Sequence, residues 1–358
     1  MGARSGNNYL SSLRKLKAEV WIGPTRIADP TIHPVLVGRA RAIASLYDLQ
    51  MEHPGAMTYR LDDGDRAGSS FIQPRSAIEV QARGAMFRRW AEYSGGLLGA
   101  TPDSVNTAVA AMAAAAPFFA ASDSRYGATL QDYYRRARHH DWCAAHTVLD
   151  DKERRLELVE KGNDGIIVNG TRALSVLGPL AEELLVLPPH DLQEESAADR
   201  FALCFAIKSN APGLKLRCGD APLANRFNEL ECVAIFDHVL IPWDRVFLCG
   251  DVARCVALLE ETGAALNLRH QQVVRNTVAA EFRLGLAASL AAGRNLLAFP
   301  RIRERLNEMV VATQLARALL RAAETGARQD RWGQWLPLAE PLEVATTLLA
   351  QLAGKGPA

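Results

Sequence analysis

The chain has 358 residues, 49% hydrophobic and 23% charged, with 41 Lys+Arg against 40 Asp+Glu for a formal net charge of +1. That length exceeds one small core and predicts two or three domains. The charge balance gives no electrostatic case for nucleic acid or an anionic membrane as partner. The longest apolar run, Val109 to Ala121, is Ala-rich and too short to span a bilayer. Met1 to Tyr9 is mostly Gly, Ser and Asn and holds no apolar leader, so the expectation is a cytoplasmic protein. Six cysteines at 143, 204, 218, 232, 249 and 255 form no Cys-x-x-Cys pair, and they read as reduced, mostly buried thiols.

In chain order, a short helix is predicted over Tyr9 to Lys17. A β hook follows at Glu19-Val20-Trp21-Ile22, closed by Gly23-Pro24, and then a helix from about Pro34 to Met51. Asp62 to Ser70 reads as a polar loop. Over 76–93, Ile78, Ala82, Met86 and Trp90 recur every four residues and predict the buried stripe of an amphipathic helix, with Glu79, Arg83, Arg88, Arg89 and Glu92 elsewhere. Thr101-Pro102-Asp103 starts another helix, with Thr101 as N-cap, Pro102 at the first helical position and an acid in the first turn. Its Val105, Val109, Met112 stripe reads as core. A third helix covers about Leu130 to His140, and Arg135-Arg136-Ala137-Arg138 is most simply its solvated face.

The period changes at Asp141-Trp142-Cys143-Ala144-Ala145-His146-Thr147. A His-Thr pair where helices give way to strands is a natural place for a ligand crevice, although composition alone favours a satisfied, half-buried histidine. Gly165–Val168 and Thr171–Leu177 flank Asn169-Gly170 and predict a hairpin. Further strands are predicted at Leu184–Leu187, Phe201–Ile207, Leu214–Cys218 and Cys232–Ile241, suggesting a small barrel or sandwich. From about Val256 the pattern is helical again. A long helix near Gln271 to Phe299 stops at Pro300, and another carries Ile302, Leu306, Met309, Thr313, Ala316 and Leu320 on one face. A short helix covers Leu342 to Leu352, and Gly354 to Ala358 trails off. The order predicts an α+β protein with a helical domain at 1–140, a β domain at 141–255 and a helical domain at 256–358.

Several strings carry a resemblance. They are Tyr9-Leu10-Ser11-Ser12-Leu13-Arg14, Val20-Trp21-Ile22, Pro102-Asp103-x-Val105-Asn106, His146-Thr147 and Asp164-Gly165-Ile166-Ile167-Val168-x-Gly170-x-Arg172. Further on come Pro212-Gly213-Leu214-Lys215, Asn225-Arg226-Phe227-Asn228-Glu229 and the most specific, Phe236-Asp237-x-Val239-Leu240-Ile241-Pro242-Trp243-Asp244-Arg245-Val246-Phe247. Nearly the whole chain resembles the 4-hydroxyphenylacetate 3-hydroxylase family, the oxygenase components of two-component flavin monooxygenases with an acyl-CoA dehydrogenase-like architecture. The resemblance implies a reduced FAD delivered by a separate flavin reductase and oxygen transfer to a phenol ring. It implies His146 as the catalytic polar group beside flavin and substrate, with His146, Thr147, Arg172 and Ser175 at cofactor-binding positions. No Gly-x-Gly-x-x-Gly opens a helix after a strand, which fits a separate reductase.

The chain departs from that family at four places. Where family members carry the Arg and Tyr that contact a phenol substrate, it has Ala100 and Ser104. Ala has no side-chain donor, and Ser is too short to replace a phenolic hydroxyl. Asp150-Asp151-Lys152 and a shortened linker stand in place of an Asn-Pro-Gln type loop that helps hold FAD. A Thr of the next flavin-contacting strand aligns with Val176, leaving Ser175 as its substitute. Family members also continue past residue 358. These changes imply FAD weakly held if at all, and they leave two alternatives open: a flavin-independent cyclase or dehydratase on the same scaffold, or a non-catalytic paralogue. The iron–sulfur dehydratase branch would need cysteines near Ala100 and Ser104, and neither is Cys; His270 aligns near a cluster histidine of that branch without cysteine partners. A metal reading of His139, His140, Asp141, Cys143 and His146 matches no standard zinc spacing. The apolar faces near 271–299 and 302–325 predict a homo-oligomer.

Overall fold

The computed structural model describes residues 2–148, 155–189, 191–192, 197–219 and 230–354. Two compact units are present, one built from Met1–Ile72 and Gly99–Ala264, the other from Gln73–Leu98 and Ala265–Ala358.

The first unit opens with α1 (Gly6–Leu16), capped by Ser5, whose side chain accepts from the Asn8 N–H. The predicted hook is a hairpin of β1 (Val20–Ile22) and β2 (Thr25–Ile27). Next come α2 (Val37–Glu52) and α3 (Pro54–Met57). The loop expected over Asp62 to Ser70 is in part a second hairpin, β3 (Thr58–Arg60) with β4 (Arg66–Gly68). Its strands are three residues each, too short to show a period. Arg66 holds them by donating to Thr58 Oγ1 at 2.6 Å and to Pro54 O at 2.8 Å. The chain then leaves for α4 (Ala77–Tyr93) of the second unit and returns at α5 (Pro102–Ala114). Thr101 is the N-cap residue of α5, but its hydroxyl makes no cap bond and donates to the Asp103 carboxylate instead. After α6 (Ala116–Ala120), α7 (Ser124–His140) begins a turn and a half earlier than predicted because Asp123 caps it through the Arg125 N–H. Asp141, left-handed at φ 52°, ends it.

The strands that follow are β5 (Ala144–His146), β6 (Glu157–Lys161), β7 (Gly165–Leu174), β8 (Glu183–Val186), β9 (Leu203–Lys208), β10 (Leu214–Cys218), β11 (Cys232–Pro242) and β12 (Val246–Cys249). They form a six-stranded sheet, β2-β1-β10-β11-β7-β6, and a four-stranded sheet, β12-β9-β8-β5. Both are open, so the described residues form no closed barrel. Phe205 of β9 and Phe236 of β11 meet edge to face at 6.1 Å between the sheets. The predicted Asn169-Gly170 hairpin is absent: β7 runs straight through both residues, paired with β11 from Gly165↔Pro242 to Leu174↔Cys232. Gly170 serves a close approach instead. Its φ is 128°, and a Cβ there would lie 2.5 Å from Arg155 O. All six cysteines are free and buried, as read from the sequence. The unit closes with α8 (Val252–Glu261), capped by Asp251.

In the second unit, Ser76 caps α4 through the Glu79 N–H. The predicted stripe on α4 is rotated. Met86 and Trp90 are buried, but Ile78 is 76% exposed and Arg83 only 1%. The inward face is Val80, Arg83, Gly84, Phe87 and Trp90, and Arg83 is accepted there because its guanidinium donates to Asn267 Oδ1. The helix expected from Gln271 is α9 (Ala264–Gly293), and Pro300 opens α10 (Pro300–Thr325) rather than ending α9. Proline has no N–H to lose at the first position of a helix. After a short ladder of β13 (Arg328–Gln329) and β14 (Trp335–Leu336), α11 (Ala339–Gly354) packs on α10 through Ala316, Ala323, Leu342, Ala345 and Leu349.

Candidate functional site

The His146-Thr147 pair lies where the two sheets of the first unit meet. On one side β5 runs parallel to β8, with Ala144↔Glu183, Ala145↔Leu184 and His146↔Leu185, and the Thr147 N–H donates to Leu185 O at 3.1 Å. On the other, at the C-terminal end of β7, the Ser175 N–H donates to His146 O at 2.8 Å and the Val148 N–H to Ala173 O at 3.0 Å. The backbone carrying the histidine is therefore held from both flanks, which fixes the direction of its side chain.

The His146 Nδ1 lies 2.9 Å from Thr147 O. A carbonyl can only accept, so the bond assigns the proton to Nδ1 and leaves the Nε2 lone pair available. Burial lowers the pKa below the ordinary 6.5, with the bond to Thr147 opposing in part. At neutral pH the ring is a neutral imidazole whose accepting nitrogen is Nε2.

Thr147 and Arg172 are spent on architecture. Thr147 Oγ1 accepts from the Leu187 N–H at 2.9 Å, and Arg172 Nη2 donates to Leu187 O and, at 3.3 Å, to Thr147 Oγ1. Together they clamp the segment leaving β8. Ser175 differs: it is 7% exposed, and its Oγ has no hydrogen-bond partner among the described residues. A buried hydroxyl without a partner is costly, and this one sits beside the His146 backbone.

Ala100 and Ser104 stand at the start of α5, a helix that packs against β5. Their polar groups turn to their own surroundings: Ser104 Oγ donates to Thr101 O at 3.0 Å, and Ala100 O accepts from Arg39 at 3.4 Å. All six nominated residues thus fall in one unit. Hydrogen bonds join His146, Thr147, Arg172 and Ser175 into one group, with Ala100 and Ser104 on the neighbouring helix.

Sequence reasoning missed the buried network just before β5. Arg4 donates to Glu182 at 3.0 Å, Gln50 to Asp141 Oδ2 at 2.8 Å, and the Cys143 N–H to Glu182 Oε2 at 3.0 Å. Its members come from distant parts of the chain, and no local spacing announces them. The network also occupies two residues of the metal reading. Asp141 is bonded within it, and burial pushes the Cys143 thiol up to about 12. His140 stacks on Trp142 at 5.2 Å. Among the described residues, the His/Cys/Asp/Glu group that converges to within 4.8 Å is Asp63, Asp65 and His139, without Cys143 or His146. His270 lies in the second unit, with its Nε2 2.9 Å from Glu324 Oε1. Asp150-Asp151-Lys152 and Asn225–Glu229 fall outside the described residues.

The 4-hydroxyphenylacetate 3-hydroxylase N-terminal family matches residues 5–248, and the corresponding C-terminal family matches residues 255–355. The chain belongs to the 4-hydroxyphenylacetate 3-hydroxylase family. It is 35% identical to a 4-hydroxyphenylacetate 3-monooxygenase oxygenase component from Geobacillus sp. (strain PA-9), over 96% of this chain and 75% of that one. It is 32% identical to the like-named protein of Thermus thermophilus, over 98% and 76%. The crystal structure of the oxygenase component of a 4-hydroxyphenylacetate 3-monooxygenase superposes with TM-score 0.92 at 32% identity, covering 99% of this chain and 77% of that one. One solved with FAD and 4-hydroxyphenylacetate gives 0.88 at 30% identity, covering 99% and 80%. Butyryl-CoA dehydrogenase from Megasphaera elsdenii, at 14% identity and TM-score 0.55 over 97% of this chain and 84% of that one, shares the fold alone. The 4-hydroxyphenylacetate 3-hydroxylase fold is thus the α+β, acyl-CoA dehydrogenase-like architecture expected from the motif order.

Proposed function

We propose that the chain is the oxygenase component of a two-component, FAD-dependent monooxygenase that hydroxylates a phenol-like or related small aromatic molecule, with His146 as its catalytic base. The observation that carries this reading is the His146 ring: neutral, its Nδ1 proton held by Thr147 O, its Nε2 given no hydrogen-bond partner among the described residues, in a chain of this family. Nε2 accepts the phenol proton as oxygen enters the ring, and Nδ1 stays bonded throughout, which keeps the imidazole oriented.

The residues present fit FAD. The buried Ser175 hydroxyl, without a partner among the described residues, supplies a donor and acceptor, and His146 lies beside it. Thr147 and Arg172 act one step back, holding the Leu187 segment next to them. Reduced FAD, delivered by a flavin reductase, supplies the electrons by which dioxygen is divided between the ring and water. Ala100 and Ser104 offer no cation or phenol toward a substrate, so the pocket is assigned an aromatic other than one gripped by an arginine–tyrosine pair. In the same reading FAD is held weakly, the protein is cytoplasmic, and the segments 1–140, 141–255 and 256–358 serve as the helical, β and helical parts. A homo-oligomer is supported by the exposed apolar ridge of Phe282, Leu286 and Leu290 on α9 with Val311 and Leu315 on α10.

The test supplies the purified protein with FAD, a flavin reductase, NADH and a panel of phenols. The expected product is a phenol carrying one added oxygen. If no phenol is oxygenated while a family oxygenase run in parallel turns over its own substrate, the reading fails. A fluorescence titration showing no binding of reduced FAD would instead favour the flavin-independent cyclase or dehydratase, or the non-catalytic paralogue.

A further inference from the structure

We propose that Cys218 and Cys232 are a redox pair that closes to a cross-strand disulfide under hydrogen peroxide. The two residues are directly opposite each other in the antiparallel β10–β11 ladder, and both are free thiols. Immediately beyond them the Gly219 N–H donates to Glu231 O at 3.0 Å. Hydrogen-bonded and non-hydrogen-bonded pairs alternate along such a ladder, so Cys218↔Cys232 is of the non-hydrogen-bonded kind. The other side of the strand agrees, since Cys218 O accepts from the Gly23 N–H at 3.4 Å, away from β11. In a non-hydrogen-bonded pair the Cα atoms lie about 4.5 Å apart with side chains close, within the roughly 4.4–6.8 Å that a disulfide spans.

The side chains also share a face. Leu214, Leu216 and Cys218 alternate inward on β10, as do Cys232, Ala234 and Phe236 on β11, and each thiol is 2% exposed. The Cys218 side chain lies close enough to Cys232 to act, ahead of burial, in raising the pKa of the Cys232 thiol. Residue 178 over the pair is glycine, and a Cβ there would stand 2.8 Å from Cys232 Sγ, so its absence gives the sulfur room to turn. Among the described strands the other cysteines face leucine, Cys204 opposite Leu248 and Cys249 opposite Leu203.

In the reaction, one sulfur attacks peroxide, the O–O bond breaks, and a sulfenic acid and one water form. The second sulfur then attacks the sulfenic sulfur, the S–O bond breaks, the S–S bond forms, and a second water leaves. Two thiols are oxidised by two electrons, and one peroxide is reduced to two waters. The neighbouring Cys218 side chain, together with burial, raises the pKa of the Cys232 thiol and keeps it protonated, so closure is slow and needs sustained oxidant.

The full chain is treated with excess hydrogen peroxide, quenched, and analysed by intact mass, thiol titration in denaturant and non-reducing peptide mapping. We expect a loss of about 2 Da reversed by dithiothreitol, two of the six thiols lost, and a peptide linked between 218 and 232. Cys232→Ala should abolish the mass loss. Should that variant fail to fold, the wild-type peptide map decides alone. Retention of all six thiols, a linkage to any other cysteine, or gains of about 16 or 32 Da on either residue without a linkage would each overturn the proposal.

Discussion

The division of labour between the two nitrogens of His146 sets the expectations at the scale of single residues. His146→Ala removes the accepting Nε2, and turnover should fall by roughly a hundredfold or more; circular dichroism and the melting curve should stay near wild type, because the strand is held by its backbone. Unchanged activity per folded molecule would remove His146 from the mechanism. Because burial lowers its pKa, the folded protein binds fewer protons at this site than the unfolded chain just below pH 6.5. Its contribution to stability is complete above that pH and is lost as pH falls through the lower folded value. The same depression moves protonation of Nε2 to more acid pH, so kcat/KM should decline at a lower pH than an ordinary histidine would give; an NMR titration of the His146 ring provides the pKa for comparison. Ser175→Ala should behave oppositely for ligand and fold. With no partner lost, the melting temperature should hold or rise, while the dissociation constant for FAD should increase by about two- to tenfold, the worth of a net hydrogen bond of about 0.5–1.5 kcal/mol. A large loss of stability would show that the hydroxyl serves the fold.

At the scale of elements, Gly170 shows how a local signal is outvoted. Asn-Gly between apolar runs has the chemistry of a tight turn, yet β11 pairs with β7 on both sides of it, absorbing the irregularity as a bulge between its own Phe236 and Val239, and the glycine is needed where Arg155 O comes close. Gly170→Ala should destabilise the protein by about 1–3 kcal/mol, seen as a lower urea midpoint; an unshifted midpoint would mean that the 155–156 segment yields freely. Much of the fold was legible for the converse reason. β10 and β11 carry alternation and turn residues that agree with their burial, and Ser76 and Pro102 mark the starts of α4 and α5. The stripe on α4 misled because it counts only apolar residues. Arg83 is buried by its bond to Asn267, a residue far along the chain, and no window around position 83 contains that partner. Pro300 misled through direction, since a proline ends one helix and begins another with equal ease. At the site, His146-Thr147 was legible through its motif and position, whereas the commitment of Thr147 and Arg172 to Leu187 depends on a crossover visible only in the folded sheet.

For the whole molecule, the ridge of Phe282, Leu286 and Leu290 leads us to expect a dimer or higher oligomer by light scattering. Leu286→Glu with Leu290→Glu should shift it toward monomer while leaving far-ultraviolet circular dichroism unchanged, since both side chains are 51% exposed; a wild-type monomer at micromolar concentration would count against the ridge as an interface. The pairing of β1 with β10 reaches further still. Val20 lies beside Leu216 and Ile22 beside Cys218, in parallel, so β1 waits for its neighbour until the distant β10 has been synthesised. While the ribosome works through the intervening helices, the β1–β2 hairpin offers an unsatisfied edge to whatever is near. It is only three residues to a strand, which keeps that exposure small. A nascent chain halted before Cys218 emerges holds a hairpin whose neighbouring strand is still missing, and the order of synthesis here runs against the order of assembly.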